Sequence, residues 1–277
     1  MPVLSIDDAG DPRVADYRGI PEPELARARG VFVAEGRLVV RRLLASRFTT
    51  RSVMVTPAVL DTVKADLEGY PCLPVFVVPQ RLMNSVAGFN IHRGCLAIGE
   101  RPAAMPWEQL VRSCRSSDRP APGRCLVALE QVGNADNVGA TFRAAAAFGA
   151  DGVLLDPSCA DPLYRKAIRT SMGAALQVPF ATDVPLIDAL THLRGDGWST
   201  VSLMPDAGAP PARDVFARVA GDRAVLVLGH EGDGLTTATA AACAHVARIP
   251  MTTDVDSLNV AMAAGIALYE WRQAQPA

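Results

Sequence analysis

Long apolar runs are missing from this 277-residue chain: even Val260 to Leu268 falls well short of the roughly 20 residues that cross a bilayer. Met1 to Gly10 carries Asp7 and Asp8 and lacks a basic region followed by an apolar core, so no secretion signal is expected and the cytoplasm is the expected compartment. Cysteine is sparse and scattered. Cys72, Cys95, Cys114, Cys125, Cys159 and Cys243 form no Cys-x-x-Cys pair, which argues against zinc and redox sites and leaves buried free thiols as the expectation. No strand is followed by Gly-x-Gly-x-x-Gly and no Gly-x-x-x-x-Gly-Lys-Ser/Thr loop occurs, which counts against dinucleotide oxidoreductases and P-loop NTPases. His230 has no partner at ligand spacing, and no metal is expected. A large charge excess is absent too: the formal net charge is -2, so any nucleic-acid contact must come from a local patch. Neither an internal repeat nor a low-complexity tract is found.

What is present is globular material, 49% hydrophobic and 20% charged, in a length sufficient for two cores. Texture changes over Arg101 to Arg124, a stretch rich in Pro, Ser and Arg, and the reading is a domain of residues 1–104, a linker of 105–123 and a second domain of 124–277. Before the change, Val31 to Val33, Ser52 to Val55, Val75 to Val78 and Cys95 to Ile98 read as short strands, with helical patterns at Gly36 to Ala45 and Ala58 to Leu67. After it, Cys125 to Leu129, Gly152 to Leu155, Thr200 to Leu203, Ala224 to Leu228 and Val246 to Ile249 read as strands. Helices are expected at Val138 to Phe148, Leu186 to Leu193 and Leu258 to Trp271. Such alternation predicts an α/β fold with a mainly parallel sheet covered on both faces, whose ligands bind outside the carboxyl ends of the strands.

Three constellations sit at those strand ends. The first runs from Glu130 to Arg143; Asn137 is placed to cap the following helix, and Arg143 lies six residues further along an Ala-rich segment. A guanidinium there is costly to bury unless it meets an anion, so a structural cap and an interior salt bridge explain the pair as well as a function does. The second, Leu226 to Leu235, ends a buried-looking strand in a turn with three glycines, where backbone can approach a ligand closely, and Glu231 is its notable side chain. The third, Arg248 to Gly265, passes from a strand through a polar loop into a helix that Asp256 or Ser257 could cap, with Ala261, Ala263, Ala264 and Gly265 permitting close packing. Upstream, Arg37, Arg41, Arg42, Arg47 and Arg51 occur with no acidic residue between them, either a phosphate-tracking patch or a solvated helix face.

Together, in this order and spacing, the three segments resemble the three motifs of the SpoU (TrmH-like) RNA 2'-O-ribose methyltransferases, and Asp161 to Gly173 also looks like a family segment. Phe32-Val33-Ala34-Glu35-Gly36 and the arginines after it are more loosely similar to the L30e-like substrate-binding domain often fused to that catalytic domain. The resemblance implies a catalytic domain of the SPOUT class with a C-terminal trefoil knot. It implies S-adenosylmethionine as cofactor, held near Gly229, Ile249 and Leu258, and methyl transfer to a ribose 2'-hydroxyl, with ribosomal RNA favoured over transfer RNA. Arg143 is then the central catalytic residue, with Asn137, Glu231, Ser257 and Asn259 arranging it, the ribose and the cofactor, while Arg37, Arg41 and Arg42 contact RNA. Family proposals make Arg143 a general base; because a guanidinium stays protonated in proteins, phosphate positioning is preferred. Asn134-Ala135 stands where family members often have Asp-Pro, and Ala261 where they often have Ser, which puts local loop shape in doubt. Pairing as a homodimer through the catalytic domain is also implied. The competing readings are an RNA-binding protein without catalysis, a knotted enzyme methylating a base nitrogen, and, least supported, a small-molecule O-methyltransferase.

Overall fold

β-branched runs bounded by turn residues alternate with helical segments throughout the structure, a computed structural model that describes residues 1–18, 29–88, 90–91, 94–116, 123–252 and 257–275. The chain first forms β1 (Val3–Ser5), a 3-10 turn (Pro12–Tyr17), β2 (Val31–Glu35), α1 (Arg37–Leu44), β3 (Thr50–Val55), α2 (Pro57–Leu67), β4 (Val75–Val77), α3 (Gln80–Ala87) and β5 (Cys95–Glu100). It continues through α4 (Trp107–Ser116), β6 (Arg124–Leu129), α5 (Ala135–Phe148), β7 (Gly152–Leu155), α6 (Arg165–Thr170) and β8 (Phe180–Ala181). Last come α7 (Leu186–Gly195), β9 (Ser199–Leu203), α8 (Ala212–Arg218), β10 (Arg223–Leu228), α9 (Thr237–Ala242), β11 (His245–Ala247) and α10 (Val260–Ala274). Among the described residues no helix is long and apolar enough to cross a membrane.

Two units result, one of Met1–Ala103 with Leu163–Gln177, the other of Ala104–Pro162 with Val178–Ala277. In the first, the strand order is β1-β4-β3-β5-β2, with β1, β4 and β3 parallel and β5 antiparallel to both its neighbours. Ile6, Tyr17, Met54, Phe76, Met83 and Ile98 pack in a core on this sheet. Leu163–Gln177, read from the sequence as part of the catalytic domain, packs here instead. The buried carboxylate of Glu35 on β2 accepts a hydrogen bond from the Arg165 guanidinium at 2.6 Å, and Arg42 donates to the Met172 carbonyl at 2.7 Å. A carboxylate removed from water needs such a partner, and the sequence supplies one 130 residues away.

The second unit is built on a six-stranded sheet of order β11-β9-β10-β6-β7-β8 in which every pair is parallel. Its central strands are buried along nearly their whole length, as expected of parallel strands covered on both faces. The stretch expected to be a linker contains α4, whose Leu110, Val111 and Cys114 enter this unit's core with Trp198 and Leu190. Its flanking Pro, Ser and Arg residues masked a short amphipathic helix. The last strand stops at Ala247, short of the expected Ile249, so Ile249 is released toward the sheet's carboxyl edge. Of the cysteines, Cys95, Cys114, Cys125 and Cys243 are buried as expected, whereas Cys159 is half-buried and Cys72 is exposed.

Replacing Arg165 by Ala should destabilise the protein by about 2–3 kcal/mol in urea unfolding, below the ~3–5 of a fully enclosed pair because the Arg165 side chain is 27% exposed. The double replacement Glu35→Gln with Arg165→Met should recover most of that loss, since no charge is then left buried alone.

Candidate active site

β6 and β10 pair in register from Arg124 opposite Arg223 to Leu129 opposite Leu228, so their carboxyl ends stop side by side. Beyond Leu228 the chain folds back on itself: the Gly234 amide donates to the His230 carbonyl at 2.9 Å, with Gly234 in the left-handed region at φ 71°. Nδ1 of His230 accepts from the amides of Gly232 and Asp233 at 3.0 and 3.3 Å, so this imidazole braces the turn. Among the described residues no group of His, Cys, Asp and Glu side chains could hold a metal. A side-chain carbon on Gly229 would collide with the peptide joining Gly234 to Leu235. The turn itself therefore demands glycine at 229, a steric reason distinct from the close ligand approach the sequence suggested.

This turn forms one wall of a cleft of about 250 Å³, which also brings together Glu231, Ile249, Ser257 and Leu258. The apolar surface comes from Leu203, Leu228, Leu235, Ile249 and Leu258, and the carboxylates at the lining are Glu231 and Asp233. Met204 and Pro205, just past β9, complete the cleft and were not singled out from the sequence. Their signal was available: a parallel strand read as ending at Leu203 places the next residues at the ligand edge.

Asn137, Asn259 and Arg143 lie outside the cleft lining, on α5 and at the start of α10. Asn137 was expected to cap α5. That role falls to Asn134, whose side chain accepts from the Asp136 amide at 3.0 Å, because the helix already begins at Ala135. Asn134 and Ala135 thus serve as cap and first helical residue, the two positions where Asp and Pro are also favoured, and the departure from the family pattern leaves the entry to the helix regular. Asn137 sits within the first turn, buried, and its side-chain oxygen accepts from the Asn259 amide group at 2.9 Å. The oxygen of Asn259 in turn accepts from the amides of Ala261 and Met262, making Asn259 the cap of α10. Of the two caps expected there, Ser257 lies two residues too early and Asp256 falls outside the described residues.

Six residues at about 100° each carry Arg143 roughly 240° around α5 from Asn137, onto a different face. There the guanidinium is exposed, and among the described residues it makes no ion pair. An interior salt bridge, one of the two readings open from the sequence, is thereby excluded among those residues. Sequence reasoning also passed over Glu130, the first residue after β6, whose buried carboxylate accepts hydrogen bonds from the Thr236 amide at 2.8 Å, the Thr236 hydroxyl at 2.9 Å and the Thr239 hydroxyl at 2.5 Å. Burial, aided by the Glu130 charge, pushes the Cys243 thiol up to about 12.

In the first unit, the arginine run does not form one free strip. Arg37 is exposed, but Arg41 pairs with Asp66, Arg42 is spent on Met172, Arg51 bonds Asp16 and Glu100, and Arg47 lies over the Phe48 ring at 4.8 Å.

A wholly parallel sheet with an apolar, carboxylate-bearing cleft at its carboxyl edge, made by a glycine turn and the entry to the last helix, defines an α/β protein with its cleft where open sheets of this class bind ligands. The sequence profile described as the SpoU rRNA Methylase family matches residues 124–269. The chain belongs to that family of RNA methyltransferases. It is 37% identical over 274 residues to an uncharacterized tRNA/rRNA methyltransferase of Mycobacterium bovis, covering 98% of this chain and 92% of that protein. The crystal structure of an rRNA methyltransferase from Sinorhizobium meliloti with AdoMet bound is similar at TM-score 0.79 and 26% identity, covering 98% of each chain. The fold is also that of the SpoU methyltransferase AviRb from Streptomyces viridochromogenes, at TM-score 0.77 and 20% identity, covering 95% of this chain and 97% of that one.

Substituting Gly229 by Ala should speed amide hydrogen exchange across Gly232 to Leu235 in the ligand-free protein. A glycine needed only for ligand approach would leave that exchange unchanged, so mass-resolved exchange separates the two reasons.

Proposed function

We propose that this RNA methyltransferase moves a methyl group from S-adenosylmethionine to a ribose 2'-hydroxyl of structured RNA, ribosomal in preference to transfer RNA. The observation that carries the reading is Arg143, an exposed guanidinium without an ion-pair partner among the described residues, on the helix whose Asn137 is bonded to Asn259 beside the cleft. A planar fork of donors that meets no carboxylate among the described residues suits a phosphate oxygen pair. A guanidinium is a donor with no acceptor, so the group's role is to orient RNA.

The cleft suits the cofactor: Leu203, Leu228, Ile249 and Leu258 offer apolar surface to a purine, and Glu231 and Asp233 place negative charge near a cationic ligand. When bound, the cofactor supplies an electrophilic methyl group on a sulfonium. Glu231 and Ser257, both exposed at the lining, are the groups that would orient the ribose. AdoMet in the Sinorhizobium meliloti enzyme supports the cofactor, and rRNA in that protein's name and in the family's supports the substrate. The first unit is read as the L30e-like substrate-binding domain, with the exposed Arg37 as its leading cation; Arg41, paired with Asp66, and Arg42, engaged with Met172, are the weaker RNA contacts. On α10, Met262 and Tyr269 are 57% and 48% exposed one heptad apart, with Phe148 of α5 against Tyr269, and this apolar strip supports pairing of catalytic units into a homodimer.

Arg143→Ala should fold and bind S-adenosylmethionine nearly as the parent does, while methyl transfer falls by orders of magnitude. Retention of more than about a tenth of transfer, less than ~1.4 kcal/mol of lost transition-state stabilisation, would overturn the assignment. Arg143→Lys should rescue little, because a point charge lacks the fork. Digestion of the product RNA should yield 2'-O-methylated nucleosides; a methylated base would instead favour transfer to a ring nitrogen. Light scattering should give twice the 29.3 kDa of one chain, and Tyr269→Glu should shift the mass toward a single chain.

A further inference from the structure

We infer that Glu130 is a positioning residue for the cofactor: its buried carboxylate holds the exit of the glycine turn and so sets the wall of the cleft. The inference rests on the cofactor reading above. Glu130 begins where β6 ends, and its amide donates to the Leu228 carbonyl at 2.9 Å, the last residue before the turn. Its side chain, in a residue only 6% exposed, receives three hydrogen bonds from Thr236 and Thr239, and both carboxylate oxygens are used. Thr236 directly follows Leu235, the last residue of the turn to line the cleft. Residues 230–235 are thus pinned at one end by strand β10 and at the other by Glu130.

An untethered turn of this kind samples many conformations, and a ligand that needs one of them loses affinity in proportion to the population of the others. The same residue also opens the loop toward α5. Gln131 adopts φ 57°, a left-handed conformation uncommon for a residue with a side chain, and the chain then runs to the Asn134 cap and on to Asn137 and Arg143. A buried carboxylate bonded to hydroxyls and an amide would serve as fold stabilisation alone if the cleft were elsewhere. The place of Thr236, directly after the cleft-lining Leu235, is what turns the contact into control of the ligand.

Glu130→Gln keeps the shape but replaces one acceptor oxygen with a donor amide facing donors. By calorimetry it should raise the Kd for S-adenosylmethionine about tenfold or more, while kcat at saturating cofactor and RNA stays within about threefold. Amide exchange at Gly232 to Thr236 should quicken in the ligand-free protein. Thr239→Val, which removes one donor without changing volume much, should act in the same direction by a smaller factor, and the double variant should cost less than the product of the two. A merely structural contact predicts a lower melting temperature and a smaller active fraction with Kd unmoved. Kd within about twofold of the parent in folded Thr239→Val and Glu130→Gln proteins overturns the inference, and if Glu130→Gln does not fold, Thr239→Val decides alone. A parent protein that binds no S-adenosylmethionine overturns the cofactor reading and this inference with it.

Discussion

Parallel pairing of β6 with β10 is the constraint on which the second unit depends. Six residues on each strand are matched in register and almost all are buried on both faces, so a slip by one position would swap side chains between two packed faces and misfit both layers of core. With register determined, Leu129 and Leu228 end together and the two loops that follow start as neighbours. Glu130 and Thr236, 106 residues apart in sequence, then meet at hydrogen-bond distance.

A second layer of order comes from α5 and α10. Gly265 of α10 faces Ala144 of α5 with room for a side-chain carbon, which would come within an ordinary 3.9 Å of it. Close approach at the start of both helices lets two short amides reach each other, so Asn259 caps its own helix and at the same time donates to Asn137 on the other. One amide side chain thereby ties the entry of α10, next to the cleft, to the helix that carries Arg143. The faces of α5 divide the work, the buried one holding Asn137, Val138 and Phe142 in place and the exposed one presenting the guanidinium.

Much of this was legible beforehand. Strands β6, β7, β9 and β10 were found within a residue at each end, because runs of Val, Leu and Ile bounded by turn residues carry a local signal. Gly229, Glu231, Ile249, Ser257 and Leu258, drawn from two separate motifs, do line one cleft. The helix caps were misplaced by two or three residues, since Asn134 and Asn137 are equally good cap residues and only the actual start of the helix chooses between them. α4 was missed inside a stretch whose Pro, Ser and Arg content reads as a linker, although Leu110, Val111 and Cys114 share a helix face. The arginine run looked like a single patch until folding turned Arg41, Arg42 and Arg51 toward partners of their own.

The division follows sequence distance. Patterns whose cause lies within a few residues, such as strand runs, the glycine turn and the position of Arg143 on a helix, were determined by the sequence alone, since propensity and periodicity act locally. Three contacts were decided only by tertiary structure: Glu35 with Arg165, Glu130 with Thr236, and Asn137 with Asn259, each linking residues more than 100 positions apart. A polar group records in its sequence that it needs a partner, but strand register and helix packing select which one it meets.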